Sequence, residues 1–143
     1  MASFSKYNQF VEDLAKKVHN LNSDTLKVML SNTAPNASTH AVRADSSEIS
    51  GGNGYTSGGN AAAFSAGAQS GGTYKLVLSD PTAWTASGGT IGPFRYAILY
   101  NDTPTSPADP LIGWWDYGSS ITLAIGETFT ADLDGTNGVL QIT

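Results

Sequence analysis

Between residues 5 and 21 the apolar side chains Tyr7, Phe10, Val11, Leu14, Val18 and Leu21 recur at steps of three and four. That spacing gathers side chains on one face of an α-helix and predicts one N-terminal amphipathic helix over residues 4–22. The charges suit its direction, because Glu12 and Asp13 precede Lys16 and Lys17, Ser3 or Ser5 can cap the start, and Asn20 and Asn22 close the end. Positions 7, 11, 14, 18 and 21 form a narrow stripe, suited either to the chain's own sheet or to a seam with a partner. The period then changes to two. Leu26, Val28 and Leu30 share one face, with Lys27 and Met29 on the other, which predicts a half-buried strand over residues 25–30, ended by Pro35.

Residues 36–72 differ in kind. Eight of the 16 glycines fall within residues 51–72, and Val42, Ile49, Tyr55 and Phe64 are the few apolar anchors. The stretch predicts a long Gly-rich loop or arm, with a short helical turn near residues 44–50. From residue 73 onward short strand-like runs follow one another at 73–79, 83–86, 94–100, 111–117, 120–123, 128–133 and 138–142. Turn chemistry separates them, including Asp80-Pro81, Ser87-Gly88-Gly89, Asn101-Asp102-Thr103-Pro104 and Asp134-Gly135-Thr136-Asn137-Gly138, the last read as a hairpin. The expectation is an all-β fold, a single jelly-roll-like β-sandwich in one domain over residues 1–143, with residues 73–143 as its main strand region. Phe94, Tyr96, Tyr100, Trp114, Trp115 and Tyr117 are expected to supply most of the core.

Composition narrows the function classes. Charged residues make up 13% of the chain, about half the usual share. The net charge is −5, and beyond Lys75 a single base, Arg95, faces seven acids. A nucleic-acid partner needs a basic stripe to neutralise phosphates, so none is expected. With 0 cysteines there is no disulfide, thiolate metal site or cysteine nucleophile. No apolar run approaches the ~20 residues that span a bilayer, and MASFSKYNQF lacks the pattern of an export signal, so no membrane partner is expected.

Motifs that carry chemistry fail on context. Ala63-Phe64-Ser65-Ala66-Gly67 lacks the first glycine of a nucleophile elbow, and His19 and His40 both precede Ser65, the wrong order for that elbow. Gly52-Asn53-Gly54 matches only half of a phosphate-binding fingerprint, without the flanking strand, helix or lysine. Asp132-Leu133-Asp134-Gly135-Thr136-Asn137-Gly138 resembles a calcium loop but misplaces its asparagine and lacks a closing glutamate. Two histidines without sequence neighbours do not make a zinc site. Glu48, Asp102, Asp109, Asp116 and Glu127 have no spacing that favours glycoside hydrolysis. No catalytic, metal or cofactor-binding residue is therefore assigned, and neither an enzyme nor a small-molecule substrate is expected. An exposed Trp114 or Trp115 beside Asp116 would instead suit a carbohydrate-binding module. Arg95, inside an apolar strand, calls for a partner; Asp116 on the next strand is the candidate for a buried bidentate pair.

Several segments together resemble a family of small tailed-bacteriophage structural proteins: the helix, residues 25–30 running into Ser31-Asn32-Thr33-Ala34-Pro35, Gly54-Tyr55-Thr56-Ser57-Gly58-Gly59, residues 94–101, and Leu111-Ile112-Gly113-Trp114-Trp115-Asp116-Tyr117-Gly118. The resemblance implies a virion protein without catalytic residues, made in the host cytoplasm. Small all-β members resemble head decoration, or cement, proteins on the capsid exterior, where the partner is the major capsid protein; others belong to the tail or baseplate. Such a protein is expected to self-associate. Tyr7, Val11 and Val18 in the helix, and Tyr55 and Phe64 in the arm, are the candidate partner contacts.

Overall fold

Antiparallel strand pairing organises the computed structural model, which describes residues 2–143. In chain order the elements are β1 (Phe4–Lys6), α1 (Asn8–Ala15), β2 (Leu26–Ser31), a 3₁₀ turn at Arg43–Asp45, β3 (Asn60–Ala61), β4 (Phe64–Ser70), β5 (Thr73–Leu78), β6 (Trp84–Thr85), β7 (Ile91–Asn101), β8 (Leu111–Leu123), β9 (Thr128–Phe129) and β10 (Leu140–Ile142). The protein is all-β with one short α-helix among the described residues. Its strands form a five-stranded sheet in the order β1-β8-β7-β2-β3, a three-stranded sheet β10-β5-β4 and a pair β6-β9.

The long hairpin β7–β8 is the spine of the larger sheet. Ala97 faces Trp115, Ile98 faces Trp114, and β2 lies on the other side with Val28 opposite Leu99. Both faces of this sheet are buried. Leu26, Val28, Leu30, Leu99 and Ile112 join Leu76, Leu78, Leu140, Trp84 and Leu133 in one apolar cluster drawn from all three sheets. On the opposite face Met29, Ile98, Tyr100 and Leu111 gather around Tyr7. The expected half-buried β2 is thus covered twice, with Met29 and Ser31 buried as fully as Leu30.

The helix is shorter than its periodicity predicts. Residues 4–6 are not helical; they pair with β8, Phe4 opposite Trp115 and Ser5 opposite Trp114. At the other end Lys17 takes a left-handed φ of 64°. Its N–H donates to Leu14 O at 3.2 Å and that of Val18 to Asp13 O at 2.9 Å, the paired bonds of a Schellman stop. Beyond it the apolar spacing continues by coincidence: Leu21 is buried, but outside a helix.

The Gly-rich region is loop through residues 36–59 but strand at its end, β3 and β4, which corrects the expected loop over residues 36–72 in its last third. Asn8 N–H bonds to Ala37 O and Leu111 N–H to Ala41 O, so its first part is tied to the helix start and to β8. The helical turn lies at Arg43–Asp45, where Asp45 Oδ2 accepts from the N–H groups of Ala41 and Val42. The last part is the hairpin β4–β5, whose Gly71 and Gly72 both have positive φ, 59° and 86°, and close Ser70 onto Thr73.

In the second half each expected run contains a strand, with two departures of consequence. The runs 111–117 and 120–123 form one continuous β8. The hairpin read at residues 134–138 does not exist, because β9 pairs with β6 and β10 with β5. Asp134 instead folds the loop on itself, its Oδ1 accepting from Thr136 N–H at 2.9 Å and Asn137 N–H at 2.7 Å.

Candidate functional site

Three places concentrate polar or exposed aromatic chemistry, and each is built by a different local device. The first is a carboxylate hub under the glycine-rich segment. Glu48 Oε1 accepts from Tyr55 OH at 2.7 Å and Gly58 N–H at 2.5 Å, while Oε2 accepts from Arg43 Nη2 at 2.7 Å. Tyr55 OH in turn accepts from Leu30 N–H of β2 at 3.0 Å, and Tyr100 OH of β7 donates to Gly58 O at 2.7 Å. Burial pushes the Glu48 carboxyl up, but these donors outweigh it and hold it below the usual carboxylate range. Burial also drives Tyr55 and Tyr100 well above an ordinary phenol, so both remain protonated. A hub of this kind fastens residues 43–58 to the sheet.

The second place is the edge of the three-stranded sheet. All seven residues of β4 are exposed, and none of Phe64-Ser65-Ala66-Gly67-Ala68-Gln69-Ser70 carries a charge. One edge of β4 pairs with β5; the other faces outward. Proteins usually guard such an edge with charge or proline. The sequence pattern predicts loop here; the Gly71-Gly72 turn between polar residues was the signal that could have found the hairpin.

The third place is an aromatic cleft of about 400 Å³ between the β7–β8 hairpin and the segment after β9, lined among others by Arg95, Trp115, Tyr117, Phe129, Thr130 and Asp132. Arg95 Nε donates to Asp116 Oδ1 at 2.8 Å and Nη2 to Oδ2 at 2.9 Å. The bidentate geometry matches the pairing expected for Arg95 and Asp116, but the side chains are 39% and 41% exposed, so the pair sits at the rim rather than in the core. The Arg95 hydrogen bonds, aided by Gly118 N–H, hold the Asp116 carboxyl below its ordinary range. Neither Trp114 nor Trp115 is exposed, the condition set for a carbohydrate-binding module; both are half-buried, against different partners. Trp114 packs on Tyr7 with ring centroids 4.7 Å apart, whereas Trp115 packs on Phe4 at 5.0 Å and lines the cleft.

The expected contact residues scatter. Tyr7 and Tyr55 are 0% and 2% exposed, each filling space inside the chain, so neither presents a surface to a partner. Val11 is 54% exposed on the helix and Phe64 37% exposed at the start of β4. Val18 is half-buried beside His19 in a surface depression under the helix end. The carboxylates considered for glycoside hydrolysis also separate: Glu48 and Asp109 both lie near Arg43, Asp102 pairs with Lys27 at 2.9 Å, Asp116 holds Arg95, and Glu127 accepts from Ala124 N–H. No group of three His, Asp or Glu side chains among the described residues is placed to share a metal ion.

Comparison of the chain with protein families, with curated proteins and with solved structures finds no match.

Proposed function

We propose that the chain is a structural protein of a tailed-phage virion, a decoration or cement protein that docks on the outside of the assembled head and braces neighbouring capsid subunits. The observation that carries this reading is β4, an uncharged seven-residue edge strand exposed along its whole length. An open edge supplies main-chain donors and acceptors to an extended segment of another protein, and small side chains let that segment approach. In this reading the glycine-rich arm contracts to the β4–β5 hairpin. The five- and three-stranded sheets are the layers of a jelly-roll-like sandwich, and the Glu48 hub fastens residues 43–58 to the larger of them. Repetition over a shell turns a modest single contact into collective strength. Self-association through a symmetric contact belongs to the same proposal.

The test is quantitative mass spectrometry of purified virions of the encoding phage, with and without the double substitution Ala66→Lys and Ala68→Lys. Decoration requires copies in a simple ratio to the major capsid protein, lost from particles when the lysines are present while the purified protein remains folded. A ratio of a few per cent would move the protein to the tail or baseplate. Absence from the particle would overturn both placements.

A further inference from the structure

The aromatic cleft beside the Arg95–Asp116 pair plays no part in docking through β4. We propose that it is a binding site for a neutral carbohydrate.

Its wall is preorganised. Tyr117, 56% exposed, meets Phe129 edge-on at 6.1 Å between ring centroids. Phe129 is itself fixed by buried rings, Phe94 at 5.0 Å and Trp84 at 6.0 Å. Trp115 is steadied by Phe4. Rings held in this way lose little freedom when a ligand arrives. The cleft volume of about 400 Å³ lies in the range of small-ligand sites, which join apolar walls to a few convergent polar groups.

The polar groups select the ligand class. Arg95, held by two bonds to Asp116, borders the cleft, where Asp132 adds a carboxylate with no hydrogen bond or ion pair among the described residues, and Thr130 adds a hydroxyl. Asp116 already neutralises the guanidinium, so a cationic ligand is the rival that the tetramethylammonium control tests. Asp132, the adjacent Asp116 and the net charge of −5 oppose an anion. A sugar ring is neutral, lays a C–H face on aromatic surface by dispersion, and carries hydroxyls that both donate and accept. It therefore uses the rings, the guanidinium and the carboxylate together.

The test uses the full chain without an N-terminal tag, because Ala2 also borders the cleft. Cellotetraose, maltotetraose, chitotetraose and a galactotetraose are titrated by calorimetry and by NMR, beside decaproline and tetramethylammonium. The expected result is binding of at least one tetrasaccharide, with shifts confined to residues 95–97, 115–117 and 129–133. Tyr117→Ala and Arg95→Met, both at exposed or half-exposed positions, should each weaken it by about tenfold or more while melting temperature shows the fold intact. Binding that survives both substitutions places the sugar elsewhere and overturns the proposal. Heat from decaproline or tetramethylammonium alone reassigns the cleft and overturns it, as does silence toward every sugar. Particle attachment through β4 is read separately, so failure of either reading leaves the other standing.

Discussion

At the scale of single residues the protein places its titratable groups where they serve the fold, and acid should reveal them one after another. His19 is 6% exposed, with Nδ1 accepting from Asn101 Nδ2 at 3.1 Å and Nε2 buried without a partner. Burial pushes its imidazole below the ordinary value of 6.5, against the opposing pull of Asp13 and Asp24. The unfolded chain then binds a proton that the folded chain refuses. His19 contributes its full share above about pH 6.5, and that share is lost as pH falls from there through the lowered folded value. Glu48 acts in a lower window, because its lowered carboxyl stabilises fully above its ordinary value of 4.5 and less as pH falls through the folded one. Urea unfolding from pH 7 to pH 3 should therefore show two declines. His19→Gln should flatten the first, and Glu48→Gln should shrink the second, to which the lowered carboxyls of Asp45, Asp116 and Asp134 also contribute. At pH 7 Glu48→Gln should also lower stability by about 2 kcal/mol, the scale of hydrogen bonds to a charged group.

At the scale of elements, two backbone positions decide where structure stops and where strands meet. Lys17 holds the left-handed turn that ends α1, a conformation that costs a side chain with a Cβ about 1 kcal/mol and glycine almost none. Lys17→Gly should raise the unfolding free energy by about that amount, measured by chemical denaturation. Gly113 on β8 is the opposite case. A Cβ there would run into the Phe4 ring and the Ser5 carbonyl oxygen, so β1 lies against β8 only because the side chain is absent. Gly113→Ala should lower stability by about 2 kcal/mol. Amide hydrogen exchange should show β1 losing protection first while β2 and β7 keep theirs.

The whole molecule joins segments far apart in sequence, β1 with β8 and β2 with β7, and buries both faces of the sheet they make. Amides of β2, β7 and the first half of β8 should exchange only through global unfolding, whereas those of β4, exposed throughout, should exchange through local opening. Equal protection in β4 of the isolated protein would mean that this edge is covered by another copy. Nonlocal antiparallel pairing also sets folding on the scale of about milliseconds to seconds, checked by stopped-flow refolding.

Much of this was legible in the chain. Alternation marked β2, and turn chemistry bounded the runs that became β5, β7 and β8, because a chain that reverses between strands needs residues that accept turn geometry. A lone arginine in an apolar strand pointed to a carboxylate on its neighbour, and Asp116 holds Arg95 through both oxygens. Tertiary structure decided the rest. Whether Tyr7 faces a partner or the chain's own Trp114 depends on which sheet face is covered, and periodicity does not encode that. The helix end at Lys17 was hidden because apolar spacing ran on past it. Strand β4 was hidden because its small, exposed residues leave no burial pattern to read, and its pairing comes from main-chain bonds with β5. Glu48 looked like one acid among several until folding surrounded it with Arg43, Tyr55 and Gly58, from three positions spread over 16 residues of turn-forming sequence. Local sequence fixes what each segment prefers. Only the packed chain brings distant donors, rings and open edges into one place, because those contacts are made between segments that do not know of each other until the core closes.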